Sequence, residues 1–167
     1  MDWLSVKPLC RHDEACLYAF ECENRAYFER SVPSRGNAYY EPESFRQSLE
    51  RLLAEQANGE GYYYLIWKDD TIVGRLNVRH TDAETGEVGY RIGTAYVRSG
   101  YATEALRQWL TFKLPRFRRF IAETTNDNVA SQHVLRRVGF IREGAEKQIE
   151  WAGQLLTFYT YVYQLDR

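Results

Sequence analysis

At 167 residues and 44% hydrophobic content, the chain has material for one domain, residues 1–167, with a core that needs no disulfide framework. Its 22 Lys and Arg against 23 Asp and Glu leave a net charge of −1, without the basic excess of a nucleic-acid or membrane-surface binder. It holds no run of ~18 apolar residues, and Met1-Asp2-Trp3-Leu4 has no basic stretch leading into an apolar one, so a cytoplasmic protein without a secretory signal is expected.

Trp3 to Leu9 is short and apolar, consistent with a first strand. Asp13 then opens a helical pattern through Ala15, Ala19 and Phe20 towards Tyr27, with Asp13 as N-cap. Cys10, Cys16 and Cys22 fall here at six-residue spacing, with no C-x-x-C and no histidine pair, so they are expected to pack and not to bind metal. Ser31 to Pro42, with Pro33 and Gly36, reads as a loop. Pro42 followed by Phe45, Leu49, Leu52 and Leu53 predicts a second amphipathic helix ending near Asn58-Gly59.

From Tyr62 the period changes to two. Tyr62 to Trp67, Asp69-Asp70 and Thr71 to Val78 predict a hairpin, and Gly86 to Ile92 a further strand. Ala102, Ala105, Leu106, Trp109 and Leu110 fill the i, i+3, i+4, i+7, i+8 template of a helix, which Pro115 ends. Arg119 to Thr125 predicts a strand, and Val134, Leu135 and Val138 a helix closed by Gly139. Two last strands, Phe140 to Trp151 and Leu155 to Leu165, turn at Ala152-Gly153, with Tyr159, Tyr161 and Tyr163 alternating along the second. This order implies a mixed α/β sheet covered by helices. The cluster Arg116, Arg118 and Arg119 reads as a solvated turn and not as an RNA contact.

The stretch from Glu87 to Leu106 is a strand, a loop with a glycine and the start of a helix. Loop amides and unpaired first-turn N–H groups converge there, with the positive end of the helix dipole behind them. Such a site receives phosphate. It contains neither GxGxxG nor GxxxxGK[ST], which disfavours a dinucleotide fold or a nucleotide triphosphatase.

A second segment runs from Ile121 to Phe140, with Asn128-Val-Ala-Ser131, Val134-Leu135 and Gly139-Phe140, followed by Gly144, Gly153-Gln154 and Tyr161. Together the two segments resemble the GNAT superfamily of acetyl-CoA-dependent N-acetyltransferases, in the branch of the ribosomal-protein alanine N-acetyltransferases. The resemblance implies a mostly antiparallel sheet of about seven strands with four helices, splayed centrally for acetyl-CoA. The family's Gln/Arg-x-x-Gly-x-Gly/Ala loop falls on Val97, Arg98, Ser99, Gly100, Tyr101 and Ala102, leading into Thr103. Val97 replaces the leading Gln/Arg, and Arg98 stands where the branch often has glycine. If that position takes φ > 0, arginine strains the loop by ~1–2 kcal/mol.

By the same resemblance, the backbone at Ile92 and Thr94 pairs with the pantetheine arm and polarises the acetyl carbonyl, and Asn128 holds the cofactor. A neutral amine attacks the thioester directly, so no triad is sought. Glu123 and Glu87 are candidate bases, directly or through water. The family's usual tyrosine near the sulfur is here Leu135, and Ser131 is the branch's alternative proton donor; His133 is expected to face solvent.

The resemblance places the acceptor region roughly at Tyr27 to Tyr40 and Trp151 to Tyr159, where Glu21, Glu23, Glu29, Glu41 and Glu43 make the first segment locally acidic beside Tyr39 and Tyr40, which suits a cationic amine. A protein N-terminus leads; a polyamine or aminoglycoside-like amine, or a non-catalytic acyl-CoA-binding module, are the alternatives. Thr157 stands where the branch carries an aspartate. No metal is expected, and a homodimer through a sheet edge remains open.

Overall fold

The structure is a computed structural model that describes residues 4–165. Trp3, at the edge of the first predicted strand, lies outside the described residues. Among the described residues eight strands hydrogen-bond in the order β1-β2-β3-β4-β5-β8-β6, with β7 on β8. Their ranges are β1 (Leu4–Pro8), β2 (Gly61–Lys68), β3 (Thr71–His80), β4 (Thr85–Ile92), β5 (Arg119–Thr125), β6 (Ile141–Arg142), β7 (Lys147–Trp151) and β8 (Gln154–Gln164). The helices are α1 (Glu14–Phe28), α2 (Pro42–Ala57), α3 (Tyr101–Leu110) and α4 (Val129–Arg137). Among the described residues no helix is long and apolar enough to cross a membrane. The chain groups into two compact units.

The first unit comprises residues 1–77 and 90–101. β1 runs antiparallel to β2, Leu4 opposite Lys68 and Pro8 opposite Tyr64. α1 buries Leu17, Phe20, Glu21, Asn24 and Phe28, a stripe at helical spacing. Leu17, Phe20 and Phe28 of that stripe pack with Phe45 and Leu49 of α2 and with Tyr63, Leu65 and Ile72 into one apolar cluster, where each buried Leu or Phe contributes roughly 1.5–3 kcal/mol. Asp13 is the N-cap residue of α1, but its carboxylate reaches back to accept from the Cys10 N–H at 2.9 Å. The three cysteines are exposed, contrary to the packing expectation. Cys16 and Cys22 each lie next to a stripe residue (Leu17, Glu21), and one residue along a helix is a turn of ~100° away from the core.

The second unit comprises residues 78–89 and 102–167. β5 pairs antiparallel with β8 along its whole length, from Arg119 opposite Gln164 to Thr125 opposite Phe158. Its parallel pairing with β4 is limited to Thr85–Glu87 against Arg119–Ile121. Trp109 of α3 packs on Phe120 of β5 at 4.5 Å between ring centroids. α3 stops at Leu110, short of Pro115, because the Thr111 hydroxyl and N–H both turn back onto the Gln108 carbonyl, at 2.6 and 3.0 Å. The predicted strand Phe140–Trp151 is two strands: β6 and β7 are separated around Gly144, which has φ +80°. β7 and β8 then close through Ala152 and Gly153 at φ +52° and +75°, the paired left-handed geometry of a tight hairpin turn.

Candidate active site

In the first unit, the end of β4 is fastened on two sides. Gly93 N–H donates to the Val73 carbonyl at 2.8 Å, and Thr94 N–H donates to Oδ1 of Asn24 at 2.8 Å. Asn24 is itself oriented by donating from Nδ2 to the Phe20 carbonyl at 2.9 Å. A Cβ at position 93 would lie 3.1 Å from the Phe20 ring and 3.2 Å from Asn24, so glycine lets α1 approach this closely. Because successive strand amides project to opposite edges, Gly93 pointing to β3 turns the Ile92 N–H to the other edge. Of the two backbone positions singled out from sequence, Thr94 is therefore engaged by a side chain, and Ile92 is the one directed outward.

After a single 3-10 turn over Thr94–Tyr96, the chain passes through Val97, Arg98, Ser99 and Gly100 into α3. These four residues are exposed, whereas Tyr101 and Thr103 are buried. Arg98 sits at φ +62° and Gly100 at φ +78°. The position where arginine replaces glycine is thus left-handed, at a cost of about 1–2 kcal/mol for a residue with a Cβ.

In the second unit, Glu87 and Glu123 lie on neighbouring strands. Glu87 pairs in register with Ile121, and Glu123 follows two residues later on the same face of β5. Partial desolvation pushes the Glu87 carboxyl above its ordinary value, and the charge of Glu123 adds to the rise, while Lys147 opposes it. The Lys147 ammonium is hydrogen-bonded to Oε1 of Glu123, which raises the lysine's own pKa. Asn128 is the N-cap of α4, its Oδ1 accepting from the Ser131 N–H at 3.1 Å. Ser131 is half-buried, Leu135 is buried and His133 is exposed. Gln132, buried, donates from Nε2 to the Thr125 and Asn126 carbonyls at 3.3 and 3.0 Å and so ties α4 to the end of β5.

The acetyltransferase (GNAT) domain family matches residues 4–141. The chain belongs to the GNAT acetyltransferase family. It is 25% identical over 139 residues to the ribosomal-protein-serine acetyltransferase of Escherichia coli K12, covering 81% of this chain and 77% of that protein. It is 27% identical over 156 residues to the probable N-acetyltransferase YjcK of Bacillus subtilis, covering 89% and 86%. In fold it is similar to a ribosomal L7/L12 α-N-protein acetyltransferase crystallised with coenzyme A, with a TM-score of 0.88, 22% identity and coverage of 99% and 96%. It is likewise similar to the ribosomal-protein-S5-alanine acetyltransferase of Vibrio fischeri, with a TM-score of 0.87, 22% identity and coverage of 98% and 94%.

This GNAT chain is an N-acetyltransferase that uses acetyl-CoA. The exposed loop from Val97 to Gly100 ends on the first-turn N–H groups of α3, which have no intrahelical acceptor. Ile92 supplies an outward N–H on the strand just before it.

Of the five acids expected to make the acceptor region acidic, Glu21, Glu29 and Glu43 are ion-paired in this GNAT structure. Glu21 is fully buried, with Oε1 2.5 Å from Arg75 Nη1 and Oε2 3.4 Å from Arg35 Nη1. Burial pushes the Glu21 carboxyl up, but Arg75, Arg35 and Arg91 together outweigh it and hold the group below its ordinary value. Glu29 is paired with Arg25 at 3.0 Å, and Glu43 lies 3.8 Å from Arg46. The sequence reading missed Arg75, Arg91, Asn24 and Lys147. Asn24 carries a local signal, a polar residue on the apolar stripe of α1; the other three acquire their roles through partners remote in sequence.

Proposed function

We propose that the acceptor is the α-amine of a protein N-terminus, attacked as the neutral amine on the thioester carbonyl. The observation that carries this reading is the match, over 81% of the chain, to an enzyme named for acetylating a ribosomal-protein serine. Glu87 takes the proton from the ammonium, directly or through one water. Its raised pKa makes it a better acceptor near neutrality than an ordinary carboxylate, while Glu123 is occupied by Lys147. The Ile92 N–H polarises the acetyl carbonyl, and preorganised donors of this kind are worth ~3–4 kcal/mol.

The loop from Val97 through Ala102 and Thr103 receives the pyrophosphate on its backbone, with Arg98 as a charged contact. Asn128 and the Ser131 hydroxyl take the cofactor-holding and thiolate-protonating roles that the family resemblance assigns them. The C–N bond forms as the C–S bond breaks, and the proton lost by the amine is matched by the one gained by the thiolate.

The test is thiol release from acetyl-CoA with peptides bearing free or blocked N-termini, beside spermidine and an aminoglycoside. Turnover of free-amine peptides alone is the expected result. Turnover of spermidine or the aminoglycoside, with peptides inert, would replace the protein acceptor by a small-molecule amine.

A further inference from the structure

The first unit contains an excess of buried and half-buried positive charge that its own acids do not neutralise. Arg75, on β3, is 4% exposed and shares Glu21 with Arg35. Arg91, on β4, projects over the Phe28 ring with its Cζ 4.7 Å from the centroid. Among the described residues its guanidinium has no hydrogen bond or ion pair. Arg35 in turn sits over the Tyr39 ring at 4.7 Å and donates from Nη1 to the Tyr39 hydroxyl at 2.7 Å.

The nearby acid Glu29 belongs to Arg25. Three guanidiniums therefore face one carboxylate. Hydrogen bonding in the cluster is incomplete on both sides, since the buried Nε of Arg75 and the buried Oε2 of Glu21 each have no hydrogen-bond partner among the described residues.

The position of this cluster matters. Arg91 directly precedes Ile92, whose N–H is assigned to the acetyl carbonyl, and Arg35 lies in the segment between α1 and α2 that forms the acceptor region. We propose that the acceptor carries a carboxylate close to its amine, and that Arg91 and Arg35 hold that carboxylate. This inference rests on the acceptor reading above and names its substrate class. A guanidinium presents paired N–H donors that match the two oxygens of a carboxylate. The electrostatics of Arg91 agree with that geometry: burial lowers its pKa and the charges of Arg35 and Arg75 lower it further against the single opposing carboxylate of Glu21, so a second anion there would offset the repulsion among the guanidiniums. A polyamine, by contrast, would bring more positive charge to a net-positive cluster.

Two sources supply such a carboxylate: an acidic side chain at the second position of a peptide, or the α-carboxylate of a free amino acid. Matched pairs separate them. Peptides beginning Ser-Asp are compared with Ser-Asn, and free amino acids with their amides, in thiol release from acetyl-CoA and in calorimetric binding of the N-acetylated products. The expected result is a preference of about 10- to 100-fold for the acidic member of one pair, the scale of one charge-assisted hydrogen-bonded contact. Arg91→Gln and Arg35→Gln should each remove most of that preference through KM, leaving acetyl-CoA affinity unchanged.

Equal use of both members of each pair, or a preference that survives both substitutions, overturns the inference while peptide turnover keeps the N-terminal reading. If free amino acids are used in preference to their amides and peptides are inert, the carboxylate site stands and the protein acceptor falls. The calorimetric arm decides independently of turnover: products that bind no better as acids than as amides sink the carboxylate site.

Discussion

The Lys147 ammonium donates a hydrogen bond to Oε1 of Glu123, although these residues lie on β7 and β5, each of which pairs with β8 and not with the other. The contact gives two similar carboxylates different environments. Glu123 gains a cation, while Glu87 feels the like charge of Glu123 and partial desolvation.

Glu87 should therefore titrate above the ordinary carboxylate range, and kcat/KM should rise with pH as it loses its proton. Glu123→Gln removes the like charge and should move this acidic limb to lower pH. Lys147→Met removes an attracting cation and should move it to higher pH. Glu87→Gln should lower kcat by about 10²- to 10⁴-fold with little change in acetyl-CoA affinity. A limb that stays in place in both flanking variants would remove Glu87 as the base.

The left-handed Arg98 makes a stability prediction. Glycine relieves ~1–2 kcal/mol of strain and gives back roughly 0.5–1 kcal/mol in chain entropy. Alanine keeps the strain and loses the same charge. Arg98→Gly should thus melt above Arg98→Ala by about 1–4 °C. Equal midpoints would show that the loop relaxes out of φ > 0 at no cost.

Asn24 joins α1 to the turn after β4 through two hydrogen bonds. Asn24→Ala leaves the Thr94 N–H and the Phe20 carbonyl without this partner and should cost about 1–3 kcal/mol in denaturant unfolding. If the bond also aims the Ile92 N–H, kcat should fall with acetyl-CoA affinity nearly unchanged. Unaltered kcat in a destabilised variant would confine Asn24 to a structural role.

Capping and ligand binding can be separated at Asn128. Asn128→Ala should cost about 1 kcal/mol, the usual value of an N-cap, whereas Asn128→Asp keeps the cap. If Asn128 also holds coenzyme A, the aspartate variant should remain as stable as the parent but bind acetyl-CoA more weakly, by repulsion from the phosphates. Unchanged affinity in both variants would leave the residue as a cap alone.

The sequence by itself determined the order of the elements, because hydrophobic period and turn chemistry act over a few residues. The short run from Arg119 to Thr125 marked β5, the apolar template from Ala102 to Leu110 marked α3, and Ala152-Gly153 marked the last turn. It also singled out the loop from Val97 to Ala102 and Asn128 as candidates, since both lie in contiguous motifs. The break between β6 and β7 was less legible, because a single glycine, Gly144, makes the turn without a neighbouring proline or Asn-Gly signal.

Only the tertiary structure decided which charges meet. Glu21 and Arg75 are 54 residues apart, Asn24 and Thr94 are 70 apart, and Lys147 reaches Glu123 across β8. Local pattern tells a side chain which face to occupy. Its partner is whatever the packed chain brings within a few ångströms, and over that distance a charge either finds its counterion, as at Lys147, or is left, as at Arg91, over an aromatic ring with no ion pair among the described residues.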